Sequence, residues 1–145
     1  MFKLRDFRET DISAIQEIVL HSLREIYDPN LYRTIANNWR NGFIVAEHNC
    51  EVIGFIAGTI DSPEETRVLM FAVKENYRDR GIGTILFTEY IRRSAMLGAK
   101  RISLEVRVSN RRAIDFYTRF SFVIVGVLPL YYSDGEDGYK MVKIL

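Results

Sequence analysis

Val68-Leu69-Met70-Phe71-Ala72-Val73, followed by Lys74-Glu75-Asn76 and then Tyr77-Arg78-Asp79-Arg80-Gly81-Ile82-Gly83-Thr84, decides how this 145-residue chain is read. Six apolar residues on both parities predict a buried strand at the centre of a sheet covered on both sides. The glycine-spaced turn, followed by Ile82, Ile85, Leu86, Tyr90 and Ile91 at helical spacing, predicts a loop that opens a long helix ending at Leu97-Gly98. Gly81 and Gly83 remove side chains so that amides at the helix start can approach an anion, and Arg78 and Arg80 add compensating charge. A pyrophosphate is the natural guest. The octamer alone fits an ordinary strand-to-helix connection equally well, because short glycine motifs are common. It lacks the Gly-Lys-Ser or Gly-Lys-Thr of a P-loop and the third spaced glycine of a dinucleotide fold, which argues against an NTPase and a dehydrogenase.

Downstream, Arg101 to Val108 alternates strictly, with Ile102, Leu104, Val106 and Val108 on one face and Arg101, Ser103, Glu105 and Arg107 on the other. Asn110 is placed to cap a helix whose stripe is Ala113, Phe116, Tyr117 and Phe120. Phe122 to Leu130 and Tyr139 to Leu145 read as the last two strands, joined by Tyr131-Tyr132-Ser133-Asp134-Gly135-Glu136-Asp137-Gly138, whose Asp-Gly pairs favour turns.

Upstream, Phe2 to Phe7 suits a strand with one solvated face, and Thr10 or Asp11 offers an N-cap for a helix carrying Ile12, Ile15, Val19, Ser22 and Ile26. Asp28-Pro29-Asn30 breaks that helix. A second short helix is expected from Leu31 to about Trp39, with Gly42 taking a left-handed cap. Phe43 to Ala46 and Val52 to Ile60 should form a hairpin around Glu47 to Glu51, with Gly54 and Gly58 marking bulges or close approaches. The order is strand, two helices, three strands, helix, strand, helix, two strands, with no internal repeat or linker.

The length suits one domain over 1–145, and 48% apolar with 27% charged residues excludes disordered and collagenous classes. A net charge of +1 gives no general attraction to polyanions, so nucleic acid is not an expected partner. The single cysteine, Cys50, excludes an internal disulfide or thiolate cluster, and His21 and His48 lack metal-ligand spacing, so no metal is expected. No signal peptide or membrane-length apolar run is seen, and a reducing cytoplasm is the expected location.

Val73 to Gly83 resembles motif A of the GNAT N-acetyltransferase family, R/Q-x-x-G-x-G/A. Leu104-Glu105-Val106-Arg107-Val108-Ser109-Asn110 with Ala113-Ile114-Asp115-Phe116-Tyr117 is similar to its motif B. Tyr131 to Met141 resembles the C-terminal end of protein N-terminal acetyltransferases of the RimI and NatA-catalytic-subunit kind. The resemblance is detailed from about residue 42 onward. One departure is Ser121, where the family usually has a glycine ending the helix, so that cap is expected to differ.

The resemblance implies an α/β (α+β) fold with a single mixed, mostly antiparallel sheet, splayed central strands and helices on both faces. It also implies direct transfer of acetyl from acetyl-CoA to an amine. Phe71, Ala72 and Val73 are then expected to serve the pantetheine and thioester, and Arg78, Asp79, Arg80, Gly81, Ile82, Gly83 and Thr84 the pyrophosphate. Asn110 should also bind the cofactor. Glu105 corresponds to the general base, and Tyr117, beside the cofactor, to the general acid.

Taken singly, Glu105 reads as a surface carboxylate paired with Arg101 or Arg107, Tyr117 as a core tyrosine and Asn110 as an N-cap. For the acceptor, Tyr27, Asp28, Asn30 and Leu31, together with Tyr131, Tyr132, Asp134 and Glu136, are candidates to clamp a peptide N-terminus. The leading expectation is a protein N-terminal acetyltransferase. The alternatives are a GNAT enzyme acting on lysine side chains or polyamine-like amines, and a non-catalytic CoA-binding regulatory module. An auxiliary subunit or a homodimer is compatible with the leading reading.

Overall fold

The computed structural model describes residues 2–145; Met1, included in the expected 1–145 domain, lies outside them. Seven strands form one sheet in the order β1-β2-β3-β4-β5-β7-β6. They are β1 (Lys3–Asp6), β2 (Phe43–His48), β3 (Glu51–Ser62), β4 (Glu65–Val73), β5 (Arg101–Arg107), β6 (Val123–Leu128) and β7 (Gly138–Ile144). Every neighbouring pair is antiparallel except β4 and β5. Helices α1 (Ile12–Leu23) and α2 (Pro29–Asn38) pack on one face around Phe43, Phe55 and Met70. Helices α3 (Ile82–Leu97) and α4 (Arg111–Arg119) cover the other, around Ile44, Ile56 and Leu104.

Two features of β4 shape everything near it. Its ladder to β3 runs from Ala57 opposite Met70 to Gly58 opposite Val68, which leaves Leu69 without a partner. An inserted residue reverses which face each parity serves. Val68 therefore points into the core under α3, whereas Met70 and Ala72 point into the core under α1 and Phe71 and Val73 pack toward α3. The unbroken apolar run is the signature of that reversal as well as of central burial. The second feature is that β4 pairs with β5 only from Glu65 to Arg67 against Arg101 to Ser103. Beyond Arg67 the two strands part.

Several local expectations need correction. Helix α1 stops at Leu23 because Arg24 takes a left-handed conformation (φ 55°), which leaves Ile26 exposed and off the helix stripe. Helix α2 begins at Pro29, not Leu31: Asp28 caps it by accepting from the Asn30 amide at 2.8 Å, and proline at the first position needs no hydrogen bond there. Gly42 has no positive φ and is no left-handed cap. It sits in a 3-10 turn where a Cβ would stand 2.1 Å from the Trp39 ring, so its role is to admit the indole. The β2–β3 turn is tighter than expected, with Asn49 and Cys50 both at positive φ. Gly58 combines both expected roles, lying at the bulge and beneath Tyr90, whose hydroxyl would be 2.0 Å from an added Cβ.

Asp11 does not cap α1 with its side chain. Both of its oxygens accept from Arg5 at 2.8 Å, and one also accepts from the Arg8 amide at 2.8 Å. Burial pushes the Asp11 carboxyl up, but the hydrogen bonds from Arg5 and Arg8 outweigh it and hold the group below its ordinary 3.8. Ser121 keeps the left-handed conformation (φ 69°) that glycine would adopt freely, and its amide still donates to Thr118 O at 2.9 Å. The helix end is preserved with backbone strain.

Two stability effects are expected. Ser121→Gly relieves the strain and raises unfolding free energy by about 0.5–1 kcal/mol, read from the denaturant midpoint. Asp11→Asn costs about 3 kcal/mol at pH 7, the low end for a buried pair because Glu47 still accepts from Arg5. Since the folded-state titration lies below 3.8, this contribution is complete above that pH. Melting curves of the two proteins should converge as pH falls through the folded-state value.

Candidate active site

The parting of β4 and β5 opens a groove whose two walls carry different chemistry. On the α3 side the wall is aromatic. Phe71 lies 5.3 Å from Phe87 and 5.4 Å from Phe116 between ring centroids, and Tyr117 lies 5.5 Å from Phe87 and 6.0 Å from Phe122. Gly83 belongs to this wall, because a Cβ there would be 3.3 Å from Phe71 Cζ. Burial pushes the Tyr117 phenol well above its ordinary range, so it keeps its proton at neutral pH.

At the carboxyl end of β4 the chain makes a 3-10 turn over Glu75–Tyr77 and enters α3 through Asp79 (φ 63°) and Gly81 (φ 81°). Gly81 has nothing within 4 Å of where a Cβ would stand. The first-turn amides of α3, from Ile82 to Thr84, have no carbonyl four residues back within the helix. Arg78 is engaged inward, donating from Nε to Val73 O at 3.1 Å and from Nη2 to Ser22 Oγ at 2.9 Å, which ties the loop to α1. Arg80 lies over the Tyr77 ring at 5.3 Å, and Asp79 accepts from Arg112 at 2.8 Å. An open, glycine-lined helix N-terminus flanked by arginines fits a pyrophosphate.

The polar wall is the other face of β5. Glu105 is half-buried, and its partner is neither Arg101 nor Arg107. Arg101 binds Glu65 at 2.6 Å, and Arg107 binds Asp134 and Glu136 at 2.9 Å while lying 4.2 Å over the Tyr132 ring. Arg67 on β4 holds Glu105 instead, with Nε at 2.9 Å and Nη2 at 2.8 Å from the same oxygen, Oε1. Its Nη2 also donates to the Tyr131 hydroxyl at 3.3 Å.

The loop between β6 and β7 is thereby folded onto the groove. Burial pushes the Tyr132 phenol up to about 12, with Tyr131 adding to the effect. Sequence reasoning missed Arg67. Its signal was an arginine beside an apolar strand, but its partner depends on where β4 and β5 separate.

The remaining candidates are placed less centrally. Asn110 caps α4, its Oδ1 accepting from the Ala113 amide at 3.2 Å. Asp28 and Asn30 are engaged at the start of α2, Asn30 Oδ1 accepting from Arg33 at 2.6 Å. Tyr27 and Leu31 pack against the α1 core, and among the described residues no hydrogen bond or ring contact joins them to Tyr131 or Tyr132. Tyr27 does line a cleft of about 300 Å³ with Leu20, Ile26 and Tyr32. The larger cleft, about 550 Å³ between α1 and the Lys74–Asn76 turn, contains none of the expected site residues. Glu105 on β5, Tyr117 in α4 next to the Phe116 that packs on Phe71 of β4, and the Gly81 turn that follows β4 are the expected site residues on elements bordering the gap between β4 and β5.

The profile of the Acetyltransferase (GNAT) family matches residues 12–122, about three quarters of the chain and all of the groove except the β6–β7 loop. The chain belongs to this family. Across 99% of its length it is 34% identical to an N-alpha-acetyltransferase of Sulfurisphaera tokodaii, of which 93% is covered. It is 36% identical to an uncharacterized N-acetyltransferase of Methanocaldococcus jannaschii, covering 97% of this chain and 90% of that one. The crystal structure of Ard1 from Thermoplasma volcanium superposes with a TM-score of 0.96 at 35% identity, covering 99% of this chain and 97% of the other.

This GNAT protein is an acetyltransferase that uses acetyl-CoA. No helix of the described residues is long and apolar enough to cross a membrane. Gly81→Val tests the anion cradle, since a β-branched residue does not hold φ near +81°. The variant is expected to raise the CoA Kd at least about tenfold by calorimetry, a loss of about 1.4 kcal/mol, while the chain still folds.

Proposed function

We propose that this acetyltransferase modifies the free α-amine of protein N-termini, those of ribosomal proteins included. The observation that carries the reading is Glu105 at the point where β4 and β5 part, with Tyr131 and Tyr132 of the β6–β7 loop drawn toward it by Arg67 and Arg107. The name of the relative from Sulfurisphaera tokodaii, an N-alpha-acetyltransferase, supports the same reading.

The acidity of the acceptor favours an α-amine. Deprotonating one at pH 7 costs about 1 kcal/mol, whereas a lysine costs about 4 to 5 kcal/mol, and one carboxylate suffices for the first. Arg67 contacts only Oε1 of Glu105, so Oε2 is left to accept the ammonium proton, directly or through a water. Acetyl-CoA supplies an acyl carbon activated as a thioester; the amine nitrogen bonds to that carbon as the carbon–sulfur bond breaks. Phe71 to Val73, the Asp79 to Thr84 loop and Asn110 would hold it. Beyond Arg67 the β5-facing edge of β4 carries no ladder, so its amides are free to donate to the thioester carbonyl. Tyr117, a phenol that is protonated at neutral pH, donates its proton to the departing thiolate.

Peptides with free N-termini should be acetylated, and matched peptides blocked at the N-terminus but carrying a lysine should not, as mass spectrometry of the products would show. Glu105→Gln and Tyr117→Phe are each expected to lower turnover about 100-fold with CoA affinity little changed. Modification of blocked, lysine-bearing peptides at a comparable rate would replace this reading with a side-chain or small-amine acetyltransferase. CoA binding without transfer to any amine would replace it with a regulatory module.

A further inference from the structure

We infer that Arg67 is a positioning residue for the acceptor half of the reaction: it fixes the Glu105 carboxylate with one oxygen engaged and the other presented, and it tethers Tyr131 in the same grip. The inference rests on the reading of Glu105 as the base. Arg67 occupies the last register position of β4 that still pairs with β5, opposite Ser103, and Glu105 lies two residues further along β5 on the same face. A guanidinium rooted at the closed end of the gap spans it where no backbone hydrogen bond does.

Both of its contacts to Glu105, 2.9 Å from Nε and 2.8 Å from Nη2, converge on Oε1. A paired fork on both oxygens would occupy the whole carboxylate. This side-on grip fixes the rotamer and leaves Oε2 without a partner among the described residues. The same Nη2 reaches the Tyr131 hydroxyl at 3.3 Å, so one side chain sets the distance between the base and the β6–β7 loop.

The neighbours on this face do not substitute for it. Glu65 is engaged by Arg101 and Ser103, Arg107 by Asp134 and Glu136, and Tyr132 by the Arg107 guanidinium. Lys140 is opposite Glu105 in the β5–β7 register but makes no hydrogen bond to it. A lysine at position 67 would supply charge from a single nitrogen, without the planar fork that sets orientation.

The test is a double-mutant cycle on kcat with an unblocked peptide, using the full chain, with melting temperature and CoA affinity measured alongside. Arg67→Met is expected to lower kcat about tenfold with CoA affinity unchanged, and Arg67→Lys, the milder change should Met impair folding, to recover part of that loss. In the Glu105→Gln background, Arg67→Met should cost less than about twofold more, because the carboxylate it positions as the base is gone and only the long 3.3 Å contact to the exposed Tyr131 remains to be lost. A full tenfold loss in that background overturns the inference, as does unchanged kcat in a folded Arg67→Met protein while Glu105→Gln is impaired. If Glu105→Gln itself is fully active, the base assignment fails first and takes the inference with it, a result distinguishable from the other two.

Discussion

The constraint on which the molecule depends is that β4 cannot follow β5 beyond three residue pairs. Up to Arg67 it is an ordinary inner strand. At Leu69 it bulges, exchanges the faces that its side chains serve, and leaves its neighbour. Both cores are built to tolerate this. Met70 and Ala72 continue the packing under α1, while Phe71 and Val73 take over the packing toward α3 that Val68 began. Each face stays apolar across the switch, and Leu69 at the bulge is the one residue of the run left exposed.

That opening divides labour between strands and loops. The β4–α3 connection offers bare amides and space at Gly81, and the packed rings of Phe71, Phe116 and Tyr117 give one side an apolar lining. The opposite wall is polar and organised by arginines, with Arg67 on Glu105 and Arg107 on Asp134, Glu136 and the Tyr132 ring. Arg78 ties the β4–α3 connection to α1 by bonding the Val73 carbonyl and Ser22. Around the gap, Arg67, Arg78 and Arg107 serve as scaffolding for loops and carboxylates.

Periodicity made the strand and helix order legible because it reports burial, and burial follows side-chain spacing. The glycine loop and the alternation around Glu105 were legible for the same reason. What periodicity does not carry is pairing. Glu105 stood between Arg101 and Arg107 in sequence, yet its partner came from a different strand, fixed by the β4–β5 register. Gly42 read as a cap because glycine after a helix commonly is one; only the position of the Trp39 ring shows that its small size matters instead. Asp28-Pro29-Asn30 read as a helix break, and it is one, but the proline also opens α2 with Asp28 as its cap. Ser121 departed from the expected glycine, and the backbone held its left-handed geometry regardless, because the chain on both sides is fixed by packing.

The unladdered edge of β4 has a thermodynamic consequence. A row of backbone groups facing a groove is satisfied by whatever enters it, and anything that binds the folded chain but not the unfolded one shifts the equilibrium by mass action. At a hundredfold excess over its Kd an acyl donor would add about 2.7 kcal/mol to the unfolding free energy, comparable to a buried ion pair. The abundance of folded enzyme is therefore coupled to the supply of its own acyl donor through the gap between two strands.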